Sequence, residues 1–108
     1  MKKSNYIAGQ WVEGTSSIKN INPSDTSETI DEYTSCTDEQ FEQAIQSAAT
    51  AQREWEKVGI EKKSQILIKI GDELIQKSKK IGELLSREEG KPLNEGIGEV
   101  ARAGQQFQ

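Results

Sequence analysis

Histidine is absent from this chain of 108 residues, and cysteine occurs once, as Cys36. Without histidine there is no histidine-containing catalytic triad, and the commonest metal ligand and general base are both missing. A single thiol excludes an internal disulfide framework and any metal cluster built from several cysteines. Aromatic residues make up 6% and hydrophobic residues 32% of the chain, which is lean for a self-sufficient core. A domain of this length buries only about 60 to 70% of its surface, while ordering costs about 1 to 2 kcal/mol per residue. The composition therefore suits a piece packed against something larger. No run approaches the roughly 18 apolar residues of a membrane span, and Met1-Lys2-Lys3 leads into Ser4-Asn5 with no apolar signal segment behind it. Those absences predict a cytoplasmic protein without membrane contact. Charge of neither sign prevails strongly: Lys+Arg 14 against Asp+Glu 18 gives a net charge of -4. Interspersed charges with a slightly acidic balance favour solubility and disfavour nucleic acid as a partner.

What the chain does have is periodicity. In Asn5 to Val12, β-formers flank Ala8-Gly9-Gln10, which predicts two short strands folded over a tight turn. The next fifteen or so residues hold Gly14, Thr15, Ser16, Ser17, Asn20, Asn22, Pro23, Ser24 and Asp25. In this loop composition Asn22-Pro23 marks a turn, because proline pushes the preceding residue out of the α region. A short strand from Ile18 to Ile21 interrupts the loop. Thr29 to Ser35 suits an exposed or edge strand, with Ile30 and Tyr33 set among polar residues.

Thr37-Asp38-Glu39-Gln40 then fits a capping box, with two acids placed to complement a helix dipole. Phe41, Ala44, Ile45, Ala48, Ala51 or Gln52, and Trp55 recur at three and four residues, predicting one apolar stripe that runs to Val58 and ends at Gly59. Trp11 and Trp55 read as core anchors. A second helical pattern starts near Lys62 with Ile66, Leu67, Ile70, Leu74 and Ile75 as its buried set, and a third carries Ile81, Leu84 and Leu85. Ser78 reads as a cap or bend between them, the alternative being one continuous helix of about 25 residues. Gly90-Lys91-Pro92 supplies a stop and a restart, glycine taking the left-handed position and proline standing in the first turn of the next helix. That last helix begins near Leu93, with Val100, Ala103 and Phe107 apolar and Glu95, Glu99 and Arg102 polar. Its pattern is still running at Gln108, where a natural terminus would be unusual. No repeat, low-complexity tract or linker divides the chain, so residues 1–108 read as one partial domain.

Tyr6-Ile7-Ala8-Gly9-Gln10-Trp11-Val12 resembles the Phe-Ile-Asn-Gly-Glu-Trp-Val opening of the aldehyde dehydrogenase superfamily. Asn22-Pro23-Ser24-Asp25 is similar to that family's Asn-Pro turn, and Asp38 to Trp55 to its alanine-rich helix ending in tryptophan. Glu89-Gly90-Lys91-Pro92-Leu93, with Glu95 and Glu99-Val100, is similar to its Glu-x-Gly-Lys-Pro helix junction. The order and spacing of these matches extend from about Asn5 to Gln108, roughly the first quarter of a family member. The resemblance implies an α/β aldehyde dehydrogenase-like fold, N-terminal part only: short β-strands or a hairpin followed by three to four α-helices, belonging to the cofactor-binding domain. It implies a full-length enzyme that oxidises an aldehyde to a carboxylic acid with NAD or NADP through a cysteine thioester. The catalytic cysteine, the glutamate, the oxyanion-hole asparagine and the glycine-containing cofactor turn would all lie beyond Gln108. For this chain alone the resemblance implies no catalytic residue, no bound cofactor and no metal. The expected partners are the rest of the polypeptide and, for the full-length protein, further copies in a homo-oligomer.

Several local patterns compete with that reading. Gly90-Lys91-Pro92 lacks the glycine spacing and the Lys-Ser/Thr pair of a phosphate loop, so a helix junction is favoured. Gly96-x-Gly98 follows no strand and lacks a third glycine in register, which favours close helix packing over a dinucleotide fingerprint. Glu88-Glu89 and Glu95-Glu99 read as solvated helix charge rather than acid and base. Cys36 falls outside the family's nucleophile position and reads as a packed small residue. In the family the helix after Gly-Lys-Pro-Leu runs beside the substrate entrance, which makes Arg102 and Gln106 candidate substrate-entrance residues. The competing expectation is that Arg102 simply pairs with Glu99 three residues away. Alternatives from other classes are a freestanding acidic helical interaction module and a regulatory subunit.

Overall fold

In the computed structural model the described residues are 2–108, and they form two compact units. The first comprises the residues up to Ile21 together with Ser27–Lys57, and the second Asn22–Thr26 together with Val58–Gln108.

The first unit holds strands β1 (Lys2–Lys3), β2 (Asn5–Ile7), β3 (Gln10–Val12), β4 (Ser16–Ile21) and β5 (Thr29–Ser35), followed by helix α1 (Asp38–Lys57). β2 and β3 form the expected hairpin, pairing Asn5 with Val12 and Ile7 with Gln10. Gln10 belongs to the strand, so the turn is Ala8-Gly9 alone, with φ of 50° and 80° at the two residues. Two central residues at positive φ match the twist of a hairpin, a backbone that suits glycine and asparagine and costs an alanine about 1 to 2 kcal/mol. Ala8→Asn is therefore expected to raise stability by about 0.5 to 1 kcal/mol. A thermal midpoint that fails to rise in this variant would contradict the turn geometry. Ile7, 6% exposed, is the buried apolar residue of this unit among the described residues.

The other sheet has the order β1-β5-β4, with β1 parallel and β4 antiparallel to β5. Thr29–Ser35 is thus a central strand and not an edge, and two lysines, poor β-formers, supply the parallel neighbour. Pairing with the open side of β5 overrides local propensity there. The capping box forms as the sequence predicts. Gln40 donates its backbone N–H to Thr37 Oγ1 at 3.1 Å, and Gln40 Oε1 accepts from the Thr37 N–H at 3.0 Å.

The apolar stripe of α1 is not buried by the described residues. Phe41, Ile45 and Trp55 are all exposed, and α1 has no buried residue. Trp11 is 71% exposed and stacks at a tilt against Tyr6 across the hairpin, with ring centroids 4.9 Å apart. Neither tryptophan is a core anchor within this chain, because periodicity marks which side of an element is apolar without identifying what covers it.

The second unit contains helices α2 (Ile60–Gln76), α3 (Ser78–Glu89) and α4 (Leu93–Gln106). Gly59 does not close α1 in a left-handed conformation; it is extended at φ -63° and stands as the N-cap of α2. α2 and α3 are separated at Lys77, where Lys77 N–H still reaches the Glu73 carbonyl and Ile81 N–H the Lys77 carbonyl, each at 3.0 Å. Ser78 opens α3 without capping it, since no side chain closes that end. Gly90 is left-handed at φ 72°, as expected, and Pro92 precedes α4 as its N-cap, one position earlier than its first turn. Asn22 to Asp25 makes the expected turn, with Ser24 N–H donating to Asn22 Oδ1 at 2.9 Å and Asp25 N–H to the Asn22 carbonyl at 3.2 Å.

Helix packing in this unit runs through glycine. A Cβ on Gly82 would sit 2.5 Å from Ile97 Cα, and one on Gly71 would sit 2.6 Å from the Gly104 carbonyl oxygen. α4 accordingly buries Gly96, Val100 and Gly104, spaced four residues apart. The set predicted to be buried on α2 is displaced by this arrangement: Ile66, Leu67, Ile70 and Ile75 remain exposed, and Gly71 is the buried residue of the helix.

Candidate functional site

Leu93–Gln106 forms a helix because Pro92 fixes an extended entry at φ -57° and ψ 140° and its carbonyl accepts the first helical bonds, from Glu95 at 3.0 Å and Gly96 at 3.2 Å. The small residues at 96 and 104 let one face meet α3 and α2 closely, with Val100, 6% exposed, between them. At 3.6 residues per turn, Arg102 lies about 200° around the helix from Val100. It is exposed, as is Gln106 one turn further on, so the two candidate entrance residues share the outward side of α4. Residues at i and i+4 are helix neighbours, which sets a guanidinium beside an amide.

The expected Arg102–Glu99 pair does not form. Lys91 Nζ instead bridges Glu89, at 2.6 Å, and Glu99. The hydrogen bonds that the Lys91 ammonium donates to these two carboxylates raise its pKa further above the ordinary value, so it is charged throughout the neutral range. Among the described residues Arg102 has no ion pair. The bridging role of Lys91 was not readable in the sequence, because the eight-residue separation from Glu99 matches no helical spacing and arises from the turn at Gly90.

In the Gly96-x-Gly98 pair the first glycine serves helix packing. Gly96, the glycine that would approach a phosphate, is filled by α3: a Cβ there would meet the Gly82 carbonyl oxygen at 2.5 Å. The first turn of α4 also carries Glu95, an acid where an anion would bind. Cys36 is exposed rather than packed, standing between β5 and α1. No group of three or more Cys, Asp or Glu suited to a metal ion occurs among the described residues.

The Aldehyde dehydrogenase family profile matches residues 11–108. A Pisum sativum protein, aldehyde dehydrogenase family 7 member A1, is 36% identical over 95 residues, which cover 88% of this chain and 18% of that protein. Malonate-semialdehyde dehydrogenase of Bacillus pumilus is 35% identical over 99 residues, covering 91% of this chain and 20% of that protein. In fold, the chain is similar to the NADP-dependent glyceraldehyde-3-phosphate dehydrogenase of Bacillus halodurans complexed with NADP. That match has a TM-score of 0.92 and 28% identity, and covers 97% of this chain and 22% of the other. This chain spans about a fifth of the length of the relatives it matches. The strand pairs followed by four helices, and the helix junction at Gly90-Lys91-Pro92, are thus features of a shared fold, and the chain belongs to the aldehyde dehydrogenase family.

Proposed function

We propose that residues 1–108 are the N-terminal portion of the cofactor-binding domain of an NAD(P)-dependent aldehyde dehydrogenase that oxidises an aldehyde to a carboxylic acid. The family match from residue 11 to residue 108 carries this reading. In it, a cysteine thiolate outside this chain adds to the aldehyde carbon, a hydride leaves that carbon, and water releases the acid from the resulting thioester. Bound NAD or NADP supplies the hydride acceptor, and no residue of this chain takes part in the chemical step. The exposed apolar side of α1, with Phe41, Ile45 and Trp55, supports the rest of the polypeptide as the partner that covers it. Further copies of the enzyme in a homo-oligomer complete the assembly in this proposal. The protein works in the cytoplasm, away from membranes and nucleic acid, a placement supported by the net charge of -4 and by the lack of any described helix long and apolar enough to cross a membrane.

Within that enzyme α4 lines the substrate entrance, where Arg102 and Gln106 meet the incoming aldehyde. The Bacillus pumilus relative is named for malonate semialdehyde, an aldehyde that carries a carboxylate. A guanidinium without an ion-pair partner among the described residues is the group that would hold such a carboxylate. The test has two parts. The 108-residue chain alone should form no reduced nicotinamide from aldehydes with NAD or NADP, and a chimera joining it to the remainder of the Bacillus pumilus enzyme should form it. In the chimera Arg102→Met should raise KM for malonate semialdehyde about ten- to hundredfold, the size of a hydrogen bond to a charged group. Turnover by the isolated chain that Cys36→Ser abolishes would refute the proposal.

A further inference from the structure

We infer that Lys91 tunes substrate preference without touching substrate: by holding the Glu99 carboxylate, it leaves the Arg102 guanidinium uncompensated for a carboxylate-bearing aldehyde. This inference rests on the reading of α4 as the lining of the substrate entrance. Glu99 stands three residues before Arg102, a spacing at which a helix brings opposite charges together. Within α4 no other acid stands at helical spacing of three or four residues from Arg102. Glu95 is seven residues away, and the positions three and four residues beyond Arg102 are Gln105 and Gln106.

Glu99 nevertheless engages Lys91, which also holds Glu89 at 2.6 Å. The Lys91 side chain is 20% exposed, against 56% for that of Glu99, so the lysine is the anchored member of the pair. Its position follows from Gly90, whose left-handed backbone reverses the chain between α3 and α4. Removing the lysine charge would free Glu99 to pair with Arg102 and would add net negative charge beside the guanidinium. Both changes oppose an anionic substrate, and neither acts on an uncharged one. Lys91 is thus a positioning residue for Arg102.

The experiment uses the complete dehydrogenase that contains residues 1–108, with succinic semialdehyde and its uncharged counterpart butanal as probes. Lys91→Met should raise KM for succinic semialdehyde about three- to tenfold, more than an exposed helix pair gives because an enzyme mouth screens charge less than open water. KM for butanal and kcat for both aldehydes should stay near their starting values. Adding Glu99→Gln to Lys91→Met should restore the original KM ratio, a rescue that a merely structural lysine would not show. In an Arg102→Met background, Lys91→Met should have no further effect. An unchanged KM ratio in Lys91→Met, or an equal loss of kcat on both aldehydes without rescue, overturns the inference. If Arg102→Met itself leaves both KM values unchanged, the placement of α4 at the entrance has failed, and the role of Lys91 falls with it.

Discussion

Gly96→Ala is expected to destabilise the chain by about 1 to 3 kcal/mol, the usual range for overpacking. Gly98→Ala, two residues along the same helix, should stabilise it by roughly 0.5 to 1 kcal/mol. Alanine is the better helix former at both positions, so propensity alone predicts a gain in each case. The surroundings separate them. The new methyl at 96 would meet the Gly82 carbonyl oxygen at 2.5 Å, and backbone of a packed helix does not move aside cheaply. At 98 nothing lies within 4 Å, so propensity acts unopposed. Thermal midpoints of the two variants decide the matter: a shift of the same sign in both would mean that α3 and α4 do not approach as closely as the structure has them.

Gly14→Ala should cost the first unit more, about 3 kcal/mol or above, because the added carbon would overlap the Ser35 carbonyl group itself. Gly14 lies between β3 and β4, and its N–H donates to Thr34 Oγ1 at 3.1 Å while Thr15 N–H donates to the Ser35 carbonyl at 3.2 Å. The chain is therefore held against the end of β5 by two hydrogen bonds that an alanine at 14 would pull apart. For a domain of this size the corresponding fall in thermal midpoint is roughly 12 to 24 °C. A fall of only a few degrees would show that the segment has room to shift.

Local rules recovered those features whose cause is local. The capping box at Thr37 and Gln40, the turn at Asn22-Pro23 and the left-handed Gly90 each depend on a few adjacent residues, and each stands where the sequence puts it. The features missed depend on distant chain. β1 exists only because β5 offers it an open side, and β5 is central only because β1 is there. Burial failed for a different reason: the pattern rules rank residues by apolar surface, and the tightest contacts here are made by residues that have none. Gly71, Gly82, Gly96 and Gly104 are buried while Ile66, Leu67 and Ile70 are not. At the candidate site, the outward placement of Arg102 and Gln106 follows from the helical period. The partner of Glu99 does not, since it depends on how the chain reverses between two helices.

The glycine contacts leave the second unit with an inverted vulnerability. An ordinary core is damaged when a side chain is trimmed, and the harm grows with the void left behind. Where Gly82 faces Gly96 and Gly71 faces Gly104 the glycines have nothing to trim, and every possible replacement adds atoms to a space already occupied by backbone and by the Ser86 and Ile75 side chains. Random mutation can therefore alter these positions in one direction only, towards crowding. Shortening Ser86 or Ile75 would relieve only part of that crowding, because the Gly82 and Gly71 carbonyls cannot withdraw without moving a whole helix.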